Sequence, residues 1–191
     1  MRFMNRRDAG MLLGQRLIEF PLHSPLVIAL SGGGTVVAAE VARLLDAPLH
    51  RFIILGDRED DESRAATGDA ACVVPSASVE SLVRGRSVIL VDDGIDTGRT
   101  MHTAIGHIAP LEPAMLVVAA PVATLSMAIE LQSRCDGKAV FLQTPDRIAS
   151  VGDWYLEFEE IGPDEVHHIL AGRAPVGPPA RPRAQLPASA G

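Results

Sequence analysis

Apolar residues recur along this chain in two alternating patterns. Short unbroken runs, Leu26–Leu30, Val88–Val91 and Met115–Ala120, read as strands buried on both faces of a sheet. Between them, apolar positions fall three and four residues apart, as on one face of a helix. Residues 5–20 place Ala9, Leu12, Leu13, Leu17 and Phe20 at that spacing, with Asn5 as the N-cap. The same spacing predicts helices over Val36–Leu45, 98–109, Ala123–Ser133 and Pro163–Leu170, the last with proline in its first turn. Ser76–Arg84 reads as a short helix or turn. His50–Leu55, Ala70–Val74 and Ala139–Leu142 complete the expected strands, and Pro121 is expected to end the strand before it. Alternating strands and helices imply an α/β fold: a doubly wound, mostly parallel, Rossmann-like three-layer sheet, with right-handed βαβ crossovers.

Two stretches break this rhythm. Residues 56–68 lie between glycines, lack apolar period and are densely charged, as in a solvated loop or a flap. Residues 172–191 are rich in Pro, Ala and Arg and read as a disordered tail, leaving 1–171 as one domain. Composition narrows the function classes. At 191 residues and 47% hydrophobic the chain can bury a sizeable core. A formal net charge of −7 argues against non-specific nucleic-acid binding. No apolar run is long enough to span a bilayer, and the charged start shows no signal peptide. Cys72 and Cys135 lie far apart without metal-type spacing and are expected as reduced thiols in the cytoplasm.

The chemistry gathers where strands give way to helices. Val88–Val91 runs into two carboxylates, Asp92 and Asp93, and then into Gly94-Ile95-Asp96-Thr97-Gly98 before the helix that begins near Arg99 and Thr100. A helix N-terminus offers unpaired N–H groups and a positive dipole end to an anion. The paired acids can accept hydrogen bonds from a sugar diol, or reach Mg²⁺ through water. Ser31-Gly32-Gly33-Gly34 likewise follows a strand and can form an anion nest. In a doubly wound sheet both loops belong at the carboxyl ends of strands and can face one site. A dinucleotide site at Ser31–Gly34 is disfavoured, because the run lacks Gly-x-Gly-x-x-Gly.

Val88–Met101 resembles the phosphoribosyl pyrophosphate (PRPP) motif of type I phosphoribosyltransferases. Phe3–Leu17, Leu26–Ala39 and Val151–Phe158 extend the resemblance to a bacterial subgroup of that family. It implies transfer of a phosphoribosyl group from PRPP to a nitrogen nucleophile of a nucleobase-like acceptor, with Mg²⁺ as cofactor and pyrophosphate as leaving group. Asp92 and Asp93 would hold the ribose diol, and Gly94, Ile95, Asp96, Thr97, Gly98, Arg99 and Thr100 the 5′-phosphate. Ser31–Gly34 would face the pyrophosphate. Residues 1–20 and 140–170 would form a hood over the base, 56–68 a flap, and a homodimer is common in the family.

Two departures accompany the resemblance. The subgroup's Pro-Arg-Gly-Gly becomes Leu30-Ser31-Gly32-Gly33, and a family lysine before the flap is replaced near Ile54 by apolar residues. The flap 57–64 carries five acids and two arginines. The lost cations leave a second reading open: a non-catalytic module that binds PRPP or a nucleotide. Asp96 matches a position where some relatives carry the general base; otherwise it closes an Asx-turn. Trp154, the single tryptophan, either stacks on a base or fills core. His102, by helical phase, is expected to be exposed.

Overall fold

The structure, a computed structural model, describes residues 2–52, 76–135 and 138–172. The flap, the strand expected at Ala70–Val74, Cys72, the position near Ile54 and the tail from 173 lie outside the described residues. Five strands are described: β1 Leu26–Ala29, β2 Leu49–Arg51, β3 Ser87–Val91, β4 Met115–Val122 and β5 Ala139–Gln143. The helices are α1 Arg6–Leu17, α2 Gly32–Leu45, α3 Ser76–Val83, α4 Arg99–Ile108, α5 Leu125–Arg134 and α6 Pro163–Leu170. The sheet runs β2-β1-β3-β4-β5 and every pairing is parallel.

Alternation along the central strands sorts their side chains into two cores. Leu26, Ile28, Val88, Leu90, Val118 and Ala120 pack with Met101, Ile105 and Leu131 of α4 and α5. Val27, Ala29, Ile89, Val91, Val117 and Ala119 pack with Leu13 and Leu17 of α1 and Val37 and Val41 of α2. Leu26–Ala29 and Val88–Val91 therefore need apolar residues at every position, which is why they appear in the sequence as unbroken runs. Fully burying a Val, Leu or Ile contributes about 1.5–3 kcal/mol, so these layers dominate stability.

Three elements depart from the sequence expectation. α2 begins at Gly32, not Val36, because Ser31 is an effective N-cap: its hydroxyl accepts from the Gly34 N–H at 2.8 Å. The expected glycine loop is thus the first turn of a helix. β4 does not stop before Pro121 but runs through it to Val122. The Asp92 N–H donates to the Ala119 carbonyl, so the backbone of Ala119, and by alternation that of Pro121, faces β3. β3 has already ended at Val91, the partner of Ala119, and the missing Pro121 N–H leaves no ladder bond unmade. β2 begins at Leu49, one residue before the expected start, and Phe52 follows as a bridge residue; the rest of the expected strand lies outside the described residues.

From β1 the chain turns outward to β2 and then returns to the other side of β1 as β3. The carboxyl ends of β1 and β3 consequently flank the point where winding reverses, the crevice in which ligands bind in such sheets. The chain ends pair beside it. Phe3 bridges Tyr155, the Phe3 N–H donates to the Trp154 carbonyl, and the Leu156 N–H donates back to Phe3.

Candidate functional site

The two glycine stretches of the sequence meet at this crevice. Ser31 closes β1 and caps α2, and its hydroxyl donates to Asp92 Oδ1 at 2.5 Å. The same carboxylate oxygen accepts the Asp93 N–H at 3.0 Å. A relay therefore runs from the Gly34 N–H through the Ser31 hydroxyl to Asp92. Asp92 is buried. Burial pushes its carboxyl up to about 7, with the neighbouring Asp93 charge adding to the rise and the Ser31 bond opposing it.

Asp93 faces a different partner. Arg6, in the first turn of α1, donates from Nε to Asp93 Oδ2 at 2.8 Å and from Nη1 to the Glu159 carbonyl at 2.7 Å. Its guanidinium lies 3.7 Å from the centre of the Phe158 ring. Tyr155 donates its hydroxyl to the Asp93 carbonyl at 2.5 Å. Burial, followed by the Asp93 charge, pushes that phenol up, so it stays a donor.

Close approach explains two glycines. A Cβ on Gly33 would stand 2.0 Å from Asp93 Oδ2 and 2.7 Å from Arg6 Nε. One on Gly34 would stand 2.7 Å from Asp92 Oδ1. The acids thus lie against the first turn of α2, where its dipole favours negative charge.

The loop after the acids is pinned at its middle. Ile95 is buried, its N–H donates to the Val122 carbonyl at 2.9 Å, and its carbonyl accepts the Thr124 N–H at 3.1 Å. Gly94 has no room for a side chain, since its Cβ would meet Val151 at 2.6 Å. Asp96, Thr97 and Arg99 are exposed, Thr100 is half-buried, and Gly98 caps α4 with φ 68°. No Asx bond of the Asp96 side chain occurs among the described residues; its carbonyl accepts from Thr124 Oγ1 at 3.4 Å.

Trp154 is half-buried against the Phe3–Tyr155 cluster, and the rings beside the acid pair are Tyr155 and Phe158. His102 is not on the open surface: it is half-buried, with Nε2 3.2 Å from Glu130 of α5. Arg6, Tyr155 and Phe158 were not singled out as site residues by the sequence. Arg6 left one signal, because it shares a helical face with Ala9, Gly10, Leu13 and Leu17, all buried. A charged residue in phase with a buried stripe calls for a buried partner.

Comparison with known proteins places the chain in a family. The family model for the phosphoribosyl transferase domain matches residues 6–153. The chain belongs to the phosphoribosyl transferase family. A Mycobacterium tuberculosis protein described as a phosphoribosyl transferase is 29% identical over 205 residues, covering 88% of this chain and 46% of that protein. The chain spans about half the length of the mycobacterial relatives it matches. The bifunctional protein PyrR of Nitrosococcus oceani is 32% identical over 157 residues, covering 80% of this chain and 86% of PyrR. The crystal structure of TT1426 from Thermus thermophilus superposes with a TM-score of 0.70 at 32% identity, over 91% of this chain and 100% of that one.

Within this phosphoribosyl transferase fold, among the described residues no three His, Cys, Asp or Glu side chains gather as a metal cage. Asp92 and Asp93 are held by Ser31 and Arg6 and form no such cage between them. Among the described residues no helix is long and apolar enough to cross a membrane.

Proposed function

We propose that this protein transfers the 5-phosphoribosyl group of PRPP to a nitrogen of a nucleobase-like acceptor and releases pyrophosphate. The observation that carries the reading is that the start of α2 lies against the acid pair, with Ser31 Oγ bonded to Asp92 across the crevice, while the loop that follows the pair opens α4. Asp92 and Asp93 accept the ribose hydroxyls. The first turn of α4, with Thr97 and Thr100 beside it, donates to the 5′-phosphate. The first turn of α2 lies on the pyrophosphate side, where Gly32 and Gly33 present N–H groups, that of Gly34 being taken by Ser31. Residues 2–6 and 151–161, part of the hood expected from 1–20 and 140–170, cover the acceptor. Mg²⁺, when bound, offsets the charge of the pyrophosphate.

In the reaction the bond from ribose C1 to the pyrophosphate oxygen breaks, and pyrophosphate leaves with the electron pair. A bond from C1 to the acceptor nitrogen forms. Charge builds up positive at C1 and negative on the leaving group, so fixed donors and position carry the rate. Exposed Asp96 takes the proton that the acceptor nitrogen loses.

A second reading, a non-catalytic regulatory module for PRPP or a nucleotide, is favoured by Ser31 in place of the subgroup's loop arginine. Calorimetry with PRPP and Mg²⁺, followed by pyrophosphate release across purine and pyrimidine bases, separates them. Binding with release identifies the transferase, binding without release the module. No binding of PRPP refutes the transferase and leaves the module only in its nucleotide-binding form.

A further inference from the structure

The missing loop arginine leaves the pyrophosphate side of the proposed site without a cation from its own loop, yet a cation stands there. Arg6 comes from α1, and its Nε is 2.7 Å from where a Gly33 Cβ would be. Together with Asp93 Oδ2, 2.0 Å from the same point, it fills the space above the first turn of α2 that a residue-33 side chain would otherwise take. Position 31 cannot compete for the role, because the Ser31 hydroxyl is engaged by Asp92 and the Gly34 N–H. In the free protein Arg6 is held by Asp93, one of the two diol acceptors, and by the Glu159 carbonyl.

We propose that Arg6 is the pyrophosphate-binding cation of this site, and that its ion pair with Asp93 couples the ribose half of the site to the pyrophosphate half. The proposal rests on the phosphoribosyl reading. Both ligand groups need the Arg6–Asp93 pair to open: the diol needs the carboxylate, and pyrophosphate needs the guanidinium. Whichever arrives first breaks the pair, and the second finds its partner already released. The carboxylate then accepts sugar hydroxyls, and the guanidinium grips a phosphate oxygen pair with two donors, for which its planar fork is suited. Phe158, 42% exposed, lies under the guanidinium on the open side and offers it a face in either position. Simple charge predicts the reverse, since two anions bound side by side repel. Positive coupling is therefore diagnostic.

The test uses the full chain with Mg²⁺ throughout, and ribose 5-phosphate and inorganic pyrophosphate as the two half-ligands. In the wild type, saturating ribose 5-phosphate should tighten pyrophosphate binding severalfold, and pyrophosphate should tighten ribose 5-phosphate by the same factor. Arg6→Met should weaken pyrophosphate on the order of tenfold or more, leave ribose 5-phosphate unchanged or tighter, and abolish the coupling. Independent or antagonistic binding in the wild type, no detectable pyrophosphate binding, or coupling that survives Arg6→Met overturns the proposal. Equal loss of both ligands in a folded Arg6→Met protein marks Arg6 as a brace for Asp93 and also overturns it. Should Arg6→Met not fold, Arg6→Lys carries the same question: one compact charge replaces the fork, so pyrophosphate should weaken severalfold while ribose 5-phosphate holds. Unchanged pyrophosphate affinity in Arg6→Lys counts as refutation. Wild-type protein that binds neither PRPP nor ribose 5-phosphate fails the phosphoribosyl reading itself. Binding of both without coupling fails the Arg6 assignment alone.

Discussion

Asp92 and Asp93 are neighbours in sequence with opposite surroundings. Asp93 meets a guanidinium; Asp92 meets a serine hydroxyl and a backbone N–H, and burial pushes it up to about 7 from an ordinary 3.8. The folded chain thus holds a proton that the unfolded chain releases. Asp92 favours folding most below pH 3.8, and this contribution is lost as pH rises to about 7. Diol binding runs the other way, because the charged carboxylate is the better acceptor. Affinity for ribose 5-phosphate is therefore expected to climb from about pH 6 to about pH 8, and Asp92→Asn to flatten both profiles. Calorimetry and thermal melts across that interval measure the two slopes; a ligand profile identical in wild type and Asp92→Asn removes Asp92 from the diol site. Ser31 is tied to the same balance. Ser31→Ala removes the cap of α2 and a donor to Asp92, at a cost of about 1–3 kcal/mol in denaturant unfolding. Ser31→Arg returns a loop cation but loses the same cap, so any gain in pyrophosphate release would accompany a lower melting temperature.

The helices α2 and α4 begin in opposite ways. α2 starts on a serine cap with glycines packed under two carboxylates, while α4 starts on Gly98 in the left-handed region with no side-chain cap. Propensity alone says that Gly33→Ala should stabilise α2 by about 1 kcal/mol. A new Cβ 2.0 Å from Asp93 Oδ2 decides the sign instead: the carboxylate must move off the helix. Gly33→Ala should keep a normal far-ultraviolet circular dichroism spectrum and weaken ribose 5-phosphate about tenfold or more. Unaltered affinity would show that the acids can shift without consequence. At Gly98, Gly98→Val adds a β-branched residue at φ 68° and a Cβ 2.5 Å from Met127 Sδ. Its expected effect is weaker phosphate binding by ribose 5-phosphate together with lost stability, whereas Thr97→Ala should weaken the ligand with stability intact, since Thr97 is exposed.

Across the whole molecule, residues 3–6 and 155–159, far apart in sequence, close one site. Phe3 is 2% exposed and its ring centre lies 5.6 Å from that of Tyr155, whose hydroxyl holds the Asp93 backbone. Three residues on, Arg6 holds the Asp93 side chain. Phe3→Ala should cost about 3–5 kcal/mol, as expected when a buried aromatic is truncated. Because the lost packing supports Tyr155, PRPP affinity should fall in the same variant even where it remains folded. Denaturant unfolding paired with calorimetry reads both, and a stability loss with full PRPP affinity would place Phe3 outside the support of the site.

The described strands and helices were legible in the sequence because a sheet covered on both faces demands apolar residues along its central strands, and helices leave their own period. Val88–Val91 and the acids after it show where a strand hands over to a site, and Asn5 marks the start of α1, all from local residues. The start of α2 was misplaced by four residues because three glycines resemble a loop until Ser31 is seen to cap them. Pro121 resembled a stop because a strand's neighbours are not written beside it; only the early end of β3 makes that proline harmless. Likewise the sequence determined that Asp92 and Asp93 stand at the end of a strand. The tertiary structure alone decided that one of them is held by Ser31 and the other by Arg6, 87 residues away. Those contacts depend on the order β2-β1-β3-β4-β5, which brings the ends of β1 and β3 together. That order is a property of how distant segments pack, and no local pattern of residues encodes it.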